Sequence, residues 1–433
     1  MYQAIVAKID RTIEIPGADR IHIAVVLGSH VVVSKEWTKG HIGIFFQDGT
    51  QLSEKFCHDN NLHRDSTLNI DKEIKGFFET SRRVRTQPFL KVKSEGFFCG
   101  LNATDTFDVI LTDNDLGVAF DKVGNDEVCR KYVSPQTLKA MANNNTKQSK
   151  VDYALEFNKH TDTDQLLMNA FKIPEGALIS LHHKVHGTSA RYSKSLVTAK
   201  LNWFQKMVNK HISPLFPTTK IEYLCGTRNV VITNPEKEGF HGSEGYRFEV
   251  LEMLKPHLSE GMTIYGEIAG YANGKPIMGV HSVDTLKDKK FTKAYGKEVT
   301  YSYGCKESEY RFHVYRITLN RDGIEMDFSA KQVKKWCEDR GVNPPLDLVT
   351  PFIYDGNEEK LKALAIDVAE NYNDRSGTKP TEDPIDSSHV NEGVVVRVDD
   401  ETLVPKFYKY KTYAFRVMEG IFKEKNVDLE DAS

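Results

Sequence analysis

The sequence has few cysteines and no long hydrophobic run. Its 433 residues include six cysteines, and no two of them stand at the Cys-x-x-Cys spacing of a zinc knot or a redox dithiol. We therefore predict six buried, reduced thiols. No stretch approaches the ~18 consecutive apolar residues of a membrane-spanning helix, and Met1 to Ala4 do not resemble the start of a signal peptide. We expect a soluble, intracellular protein of the cytoplasm.

An excess of charge of one sign is also missing. Lys and Arg number 58 against 61 Asp and Glu, which gives a net charge of −3. This balance neither demands nor excludes a nucleic-acid partner, because the local distribution of charge decides that. With 39% hydrophobic and 27% charged residues, the composition excludes a disordered, collagen-like or disulfide-scaffold protein. The length favours two or three domains of roughly 150 residues each.

The first hundred residues have the pattern of short β-strands. Runs of β-branched and aromatic residues are separated by the turn dipeptides Pro16-Gly17, Gly28-Ser29 and Asp48-Gly49. Strands are predicted at residues 2–9, 21–27, 30–34, 41–46, 84–92 and 97–101. Turns at such short intervals indicate a small barrel or sandwich, and we favour a barrel of the OB type.

Residues 82–101 combine positive charge with aromatic rings. Phenylalanines interleave there with one acidic residue, Glu95, and with five basic ones: Arg82, Arg83, Arg85, Lys91 and Lys93. A basic, aromatic-rich β surface is suited to binding nucleic-acid backbones and single strands. These five residues are therefore candidate nucleic-acid contacts. The alternative is a solvated strand face with its phenylalanines on the core side.

A polar segment divides the chain. Residues 143–150 read Asn-Asn-Asn-Thr-Lys-Gln-Ser-Lys, which is typical of a linker. We predict an N-terminal β domain over residues 1–135, a linker over 136–160 and a second domain over 161–433. The fold class is α+β, and the second domain is expected to contain antiparallel sheets with flanking helices. Helices are predicted at 329–340 and after Asn357, and an exposed loop at 371–388.

Six short motifs follow one another through the second domain. The first, Lys-Val-His-Gly-Thr-Ser at 184–189, is weak evidence alone, since lysine and glycine often stand at this spacing by chance. The others are Gly-Thr-Arg-Asn (226–229), Gly-Glu-Ile-Ala-Gly-Tyr (266–271), Phe-His-Val-Tyr-Arg-Ile (312–317), Asn-Glu-Gly (391–393) and Lys-Phe-Tyr-Lys-Tyr-Lys (406–411). Glycines beside functional groups at the ends of β-rich runs let the backbone approach a phosphate closely.

This ordered set resembles the covalent nucleotidyltransferases, which include ATP-dependent ligases and mRNA capping enzymes. The first three motifs are most similar to ATP-dependent RNA ligases that seal nicks in RNA repair, and the resemblance spans about residues 161–415. DNA ligases and capping enzymes usually carry an OB domain after the last motif, whereas about twenty residues follow Lys411 here. The β-rich first domain is similar to the OB module that precedes the catalytic domain in one branch of the RNA ligases.

The resemblance implies a reaction and its partners. Lys184 would take AMP from ATP as lysyl-AMP and pass it to a 5′-phosphate of RNA, and a 3′-hydroxyl would then displace the AMP. The lysine must attack as the neutral amine, although a free lysine has a pKa of ~10.4. Mg²⁺ or Mn²⁺ would act at the phosphates. The expected partner of this monomer is RNA, as a nicked duplex or as ends held together.

The resemblance also assigns the residues around the lysine. Lys409 and Lys411 would sit against the phosphates and assist catalysis, and Lys406 could share that role. Glu392 and Glu267 would hold the metal, often through water. Nucleotide contacts are implied for His183, Gly187, Ser189, Arg228, Glu267, Lys409, Lys411 and Tyr315, with Phe312 as the alternative to Tyr315 for stacking on adenine.

Two positions depart from the common family pattern. His186 stands where aspartate is commonest, although some RNA ligases have histidine there, and it is assigned to the metal site only through water. Arg316 stands where an acidic residue is common. The chain also has insertions at about 202–219 and 316–391. The first has the pattern of an amphipathic helix that either packs on the core or contacts the RNA duplex.

Three alternatives stay open at this point. A capping guanylyltransferase is disfavoured by the missing C-terminal OB domain and would be labelled by GTP. A DNA ligase would be distinguished by the sugar at the 3′-hydroxyl end of the nick. A nucleic-acid-binding protein that has lost activity is disfavoured because Lys184, Glu267, Glu392 and two lysines of the last motif are all present.

Overall fold

A computed structural model describes residues 2–89, 92–107, 110–145, 154–161, 163–236, 238–239, 242–372, 379–400 and 404–426. These residues form a mixed α+β fold with nine α-helices and mostly antiparallel sheets, as the sequence predicted. None of these helices is long and apolar enough to cross a bilayer. All six cysteines are free thiols, five of them buried and Cys99 partly exposed.

The N-terminal part consists of short strands and one helix, α1 (Glu54–Asp59). Its strands are β1 (Ala4–Glu14), β2 (Ile21–Val26), β3 (Ser29–Ser34), β4 (Ile42–Gln47), β5 (Thr50–Leu52), β6 (Gln87–Phe89), β7 (Val92–Ser94), β8 (Gly96–Cys99), β9 (Ala119–Phe120), β10 (Lys122–Val123), β11 (Asp126–Glu127) and β12 (Cys129–Lys131). The predicted strands are confirmed except at 84–92, where residues 84–86 precede β6 without belonging to a strand.

Strand β1 organises the N-terminal sheet. Its first half pairs with β4, its second half pairs with β2, and a bulge between Ile9 and Arg11 separates the two. A bulge increases the local bend and twist, so the sheet curls around β1. The strand order β3-β2-β1-β4-β8, with β9 also paired to β1, gives a nearly closed, barrel-like sheet over an apolar core.

The rest of the chain contains two larger sheets and eight helices among the described residues. The strands are β13 (Asp164–Gln165), β14 (Leu178–His183), β15 (Thr188–Thr198), β16 (Thr219–Gly226), β17 (Val231–Ile232), β18 (Glu238–Gly239), β19 (Gly242–Ser243), β20 (Met262–Ala272), β21 (Lys275–Pro276), β22 (Val280–Ser282), β23 (Glu298–Thr300), β24 (Tyr310–Arg321), β25 (Ile324–Asp327), β26 (Phe352–Ile353), β27 (Gly393–Asp399) and β28 (Lys406–Lys411). The helices are α2 (Pro135–Asn145), α3 (Leu166–Asn169), α4 (Trp203–His211), α5 (Gly245–Leu254), α6 (Lys289–Tyr295), α7 (Ala330–Glu338), α8 (Glu358–Asn371) and α9 (Tyr413–Lys425).

The two larger sheets form the walls of a cavity. One has the order β13-β28-β27-β14-β26, and the other β17-β16-β15-β20-β24-β25 with β21 paired to β20. Helix α8 covers the first sheet and helices α5 and α7 cover the second, and each sheet has its own apolar core. Strands β14, β27 and β28 face β20 and β24 across the cavity.

Both helices predicted in the second domain are present. Ser329 caps α7 and, with Gln332, forms a reciprocal capping box. Asn357 caps α8, which buries Leu361 and Ala365 as the helical spacing predicted. The predicted linker, 136–160, begins within helix α2, and its residues 146–153 lie outside the described residues. The domain boundaries remain a prediction.

Three of the basic residues predicted as nucleic-acid contacts at 82–101 reach the C-terminal helix α9. Arg83 is buried and donates to the carbonyl of Gly420 in α9, and Arg85 lies 3.0 Å from Glu424 of the same helix. Lys93 lies over the ring of Tyr413, also in α9.

Arg82 donates to the carbonyl of Leu52, and Lys91 lies outside the described residues. The four described basic side chains all make contacts within the protein, and their role as nucleic-acid contacts stays a prediction. Three of them reach α9, which lies more than 300 residues away in the chain. No local pattern in the sequence indicates such a contact.

Candidate active site

Lys184 directly follows strand β14 and lines the cavity between the two sheets. Its backbone N–H donates to the carbonyl of Gly393 at 3.0 Å, which fixes the lysine beside the start of β27. Its Nζ lies 2.9 Å from Oε1 of Glu392. The lysine side chain is 17% exposed whereas the carboxylate is fully buried, so the amine is reachable and its counter-charge is not.

Two glycines allow the backbone to pack this tightly. Gly393 has a φ of +150°, and a Cβ there would meet the carbonyl oxygen of Tyr410 at 2.0 Å. Gly187 follows Lys184 by three residues, and a Cβ there would meet the carbonyl oxygen of Ile268 at 2.6 Å. Neither position accepts a side chain without backbone movement. The glycines of the first and fifth motifs therefore hold β14, β20, β27 and β28 close together.

Lys411 shares the carboxylate of Glu392 with Lys184. Its Nζ lies 3.2 Å from Oε1 of Glu392 and 3.0 Å from Oε2 of Glu419. Gly393 stands opposite Lys411 in the pairing of β27 with β28, which brings Glu392 and Lys411 together. Two ammonium groups are thus held at one buried carboxylate at the cavity wall.

Alternation along β28 decides which of its lysines reaches the cavity. Phe407, Lys409 and Lys411 line it, whereas Tyr408 and Tyr410 enter the apolar core of the first sheet. Lys406 has the other parity, is exposed and lies 3.5 Å from Asp400. The structure therefore does not bring Lys406 to the site. It does bring Lys409 and Lys411 there.

The second sheet supplies the opposite wall. Ser189 on β15 pairs with Glu267 on β20, and both side chains face the cavity together with Arg228, which follows β16. The cavity has two adjoining parts, and Lys184 and Glu267 line both. One part is mostly apolar, and the other is lined by Arg228, Lys409 and other polar groups. An adenosine and its phosphates need these two environments side by side.

Side-chain alternation along β24 separates the two aromatic candidates. His313 pairs with Glu267 and lines the cavity with it, and Tyr315, two residues further along at a bulge before Arg316, lines the cavity too. Phe312 is buried in the core of the second sheet, with its ring 5.2 Å from that of Tyr192. The alternative placement of Phe312 against adenine is therefore wrong. Tyr315 is the aromatic ring of this motif that lines the cavity.

Comparison with known families agrees with this arrangement. A family model described as RNA ligase matches residues 179–411, which is more than half of the chain and includes every motif of the cavity. The chain belongs to the RNA ligase family. No curated protein matches the sequence significantly.

Solved structures of the Naegleria gruberi RNA ligase share the fold of this family member. One variant with ATP and Mn is 15% identical, with a TM-score of 0.55 over 98% of both chains. Another with AMP and Mn is 13% identical, with a TM-score of 0.54 over 98% of both chains. The ligase with PPi is 16% identical, with a TM-score of 0.53 over 96% of this chain and 98% of that chain.

His183 of this RNA ligase family member is held from a part of the chain that the sequence did not assign to the site. Its Nε2 lies 2.7 Å from Oδ2 of Asp383, and both side chains are fully buried. Burial alone would raise the pKa of Asp383, but the charge and hydrogen bond of His183 outweigh it and hold that pKa below its usual value. The exposed loop predicted at 371–388 is thus wrong at Asp383. Residues 373–378 of that loop lie outside the described residues.

His186 lies in an aromatic cluster behind Glu392. Its Nδ1 is 3.8 Å from Oε2 of Glu392, and its ring packs edge-on against Tyr301 and Phe415. His281 belongs to the same cluster, where burial lowers its pKa to about 3. The imidazole of His186 therefore lies beside Glu392, on the side away from the cavity lining. Its assignment to a hydrated metal stays a prediction.

The segment before the first motif also contributes to the cavity, and sequence reasoning missed it. His160 lines both parts of the cavity, and its Nδ1 lies 2.9 Å from the hydroxyl of Tyr315. Thr161 accepts from Arg316, which also forms a bidentate ion pair with Asp327 of β25. Arg316 thus ties this segment to β24 and β25. No periodicity or motif around residues 157–161 indicates this.

We expect Asp347→Asn to reveal an acid-sensitive contact beside the site. A hydrogen bond from His182 lowers the pKa of Asp347 from 3.8 to about 2 despite partial burial, and Lys334 adds to this. A carboxyl with a depressed folded-state pKa stabilises the protein above its unfolded pKa and loses that contribution as the pH falls through its folded pKa.

The free energy of unfolding of wild type should therefore exceed that of Asp347→Asn by about 1 kcal/mol at neutral pH. The difference should vanish as the pH falls from 3.8 to about 2. Thermal unfolding midpoints of both proteins across this range measure it. A difference that stays constant with pH would contradict the assignment.

Proposed function

We propose that this chain is an ATP-dependent RNA ligase that forms lysyl-AMP at Lys184 and seals nicks in RNA duplexes. The observation that carries the proposal is the shared carboxylate: Lys184 and Lys411 both contact buried Glu392 at the wall of one cavity. Membership of the RNA ligase family supports it. So do the structures of the Naegleria ligase, which were solved with ATP, AMP and PPi.

The proposed reaction has three steps. The neutral amine of Lys184 attacks the α-phosphorus of ATP. The Nζ–P bond forms, the bond to the β-phosphate oxygen breaks, pyrophosphate leaves with the electron pair, and the nitrogen releases one proton to solvent. A 5′-phosphate oxygen of RNA then attacks the same phosphorus, the Nζ–P bond breaks, and the nitrogen takes up a proton to regenerate the amine. Finally, the 3′-hydroxyl attacks that 5′-phosphate, loses its proton and releases AMP.

The cavity residues have matching roles in this proposal. Lys409 and Lys411 bind the phosphates and stabilise the charge that develops on them. Arg228 binds the ribose or the 5′-phosphate, and Glu267 contacts the ribose or the metal shell. The ring of Tyr315 stacks on adenine, while its hydroxyl is held by His160.

Ser189 contacts the ribose in this arrangement. The backbone of His183 contacts the adenine edge, since its side chain is engaged by Asp383. Because Gly187 has no side chain, the backbone that follows Lys184 can pack closely against β20. Tyr315 lines one part of the cavity and Lys409 and Lys411 line the other, with Lys184 in both, so in this proposal the adenine lies in the first part and the phosphates in the second.

A divalent cation, Mg²⁺ or Mn²⁺, fits the donors that are present. Among the described residues no three His, Cys, Asp or Glu side chains are grouped as a metal-binding cluster. Magnesium keeps several waters and is usually held by one or two carboxylates together with substrate phosphates. Glu392 and Glu267 would hold it, and Oε2 of Glu392, which neither Lys184 nor Lys411 contacts, has no hydrogen-bond partner among the described residues. When bound, the cation supplies charge stabilisation at the phosphates.

The domain arrangement belongs to the same proposal. The barrel-like sheet over residues 1–135 would be an OB-type module, and residues 161–433 the catalytic domain. Nick sealing follows from the resemblance to the branch of RNA ligases with such a leading module. ATP as the nucleotide distinguishes this proposal from a capping guanylyltransferase.

Sealing assays test the proposal with matched nicks. We would supply ATP and a divalent cation with duplexes whose 3′-hydroxyl strand is either RNA or DNA. We expect sealing with the RNA 3′-hydroxyl, and none when GTP replaces ATP. Preferential sealing of nicks with a DNA 3′-hydroxyl strand, or sealing that requires GTP, would overturn the proposed function.

A second test separates Tyr315 from Phe312. Base stacking contributes about 1–3 kcal/mol, so Tyr315→Ala should raise the KM for ATP about tenfold or more in adenylylation of the protein. Phe312→Ala should leave that KM within about twofold and instead cost about 3–5 kcal/mol of stability, since it opens a core cavity. Steady-state kinetics and thermal unfolding measure both. Equal KM effects of the two variants would contradict the assignment.

A further inference from the structure

Helix α4 lies at the far end of the hairpin formed by β15 and β16. Strand β15 begins beside the active site at Ser189, and β16 returns to it just before Arg228. β15 has 11 residues. At about 3.3 Å per residue, the helix is therefore roughly 30 Å from the site along the hairpin. A ligand that touches both must be extended.

The helix exposes aromatic rings that the core does not use. Trp203 is 76% exposed and Phe204 is 56% exposed, whereas Val208 is the buried residue of the helix. Hydrogen bonds nevertheless fix both ends of this segment. Asn202 and Gln205 form a reciprocal capping box, and Asn209 exchanges two hydrogen bonds with the backbone of Phe216.

Positive charge accompanies these rings. Residues 199–219 contain three lysines, Lys200, Lys206 and Lys210, and no Asp or Glu. Within the described part of the chain, none of the three forms an ion pair, whereas Lys220 and Lys255 nearby in the sequence each pair with a glutamate. A polyanion is the partner that complements this segment.

The helical geometry puts the charge and the indole on one side. At about 100° per residue, Lys206 and Lys210 lie within about 60° of Trp203 around the axis. Val208 lies about 140° from Trp203 in the other direction, so the three exposed side chains are on the face opposite the core. Two ammonium groups on the same face of the helix as an exposed indole can bind phosphates while the ring packs on a base or sugar.

We propose that α4 is an auxiliary RNA-binding element that holds the substrate strand about ten base pairs away from the joined ends. This inference rests on the proposed function, because it assumes that the RNA ends lie at Lys184. RNA is favoured over a protein partner because lysines border the apolar surface and acidic residues are absent from it. The occupant is the RNA that extends from the nick.

Binding measurements with two substrates test the inference. Nicked duplexes with arms of about six base pairs end short of α4, and arms of about twenty base pairs pass it. We would compare wild type, Trp203→Ala and the double variant Lys206→Glu/Lys210→Glu by fluorescence anisotropy at several salt concentrations. The matched control is Lys289→Glu/Lys293→Glu, which makes the same charge change at the same spacing in α6.

Each α4 variant should raise the Kd for the long duplex about tenfold and leave the Kd for the short duplex within about twofold. The double lysine variant should also reduce the salt slope of long-duplex binding by about two. The control pair should resemble wild type. Labelling by ATP needs no RNA and should be unchanged in all variants, so its failure in wild type would refute the proposed function separately.

Two outcomes would overturn the inference. In the first, the α4 variants bind the long duplex as tightly as wild type, with the same salt slope. In the second, they lose affinity equally for short and long duplexes, which would indicate an indirect effect on the site. Because Trp203, Lys206 and Lys210 are all exposed, loss of folding is not expected to obscure the result.

Discussion

Lys184→Ala should abolish covalent labelling of the protein by α-labelled ATP, with a loss of at least about 10³-fold. Alanine has no nucleophile, and no other amine takes its position directly after β14. The substitution should leave the fold intact, because Glu392 retains Lys411 at 3.2 Å as a counter-charge. Denaturing electrophoresis of the labelled protein measures the effect.

Lys406→Ala is the matched control for this variant. Lys406 is a lysine of the last motif that the structure places outside the cavity, beside Asp400. Its substitution should leave labelling within about twofold of wild type, in line with other exposed sites. Lys184→Ala should still join RNA that already carries a 5′-adenylate, because that step no longer needs the lysine nucleophile. Undiminished labelling of Lys184→Ala would refute the proposed lysyl-AMP.

Glu392→Gln should reduce labelling about 10²-fold while the protein stays folded. Glutamine keeps the shape of the side chain and removes the charge that Lys184 and Lys411 share at 2.9 and 3.2 Å. The two ammonium groups then lose their common counter-ion and their fixed positions. The carboxylate proposed to hold the divalent cation is lost as well. Single-turnover labelling with saturating ATP measures the rate.

Glu419→Gln separates this effect from a general loss of negative charge. Glu419 contacts Lys411 and Lys423 at 3.0 Å, but the contacts of Lys184 do not include it. Its substitution should lower the rate less than about tenfold. Equal effects of Glu392→Gln and Glu419→Gln would show that the shared contact with Lys184 is not the source of the effect.

Local sequence patterns predicted much of the fold because they report local physics. Helices α7 and α8 begin at the caps Ser329 and Asn357, which the sequence shows directly. The N-terminal strands follow their β-branched runs. The contacts of Arg83 and Arg85 with α9 were not predicted, because they form only after folding and a basic residue looks the same in the sequence whether its partner is RNA or Glu424.

The sequence predicted those parts of the candidate site in which one motif contains both a functional side chain and a nearby glycine. Lys184 with Gly187 and Glu392 with Gly393 are of this kind. Phe312 and Tyr315 stand three residues apart and face opposite sides of β24, but which side meets the cavity depended on the pairing of β24 with β20, which has no local signal in the sequence. Asp383 was missed because a buried carboxylate in a Pro- and Asp-rich loop resembles an exposed one until its partner, His183, is known.

Mass spectrometry of the digested protein after incubation with ATP and magnesium tests the central claim most directly. The account predicts one AMP per protein, on the peptide that contains Lys184 and attached to Nζ. Brief treatment with pyrophosphate should remove it. AMP on another residue, or an ATP-treated protein without any AMP under conditions where it seals RNA, would contradict the account.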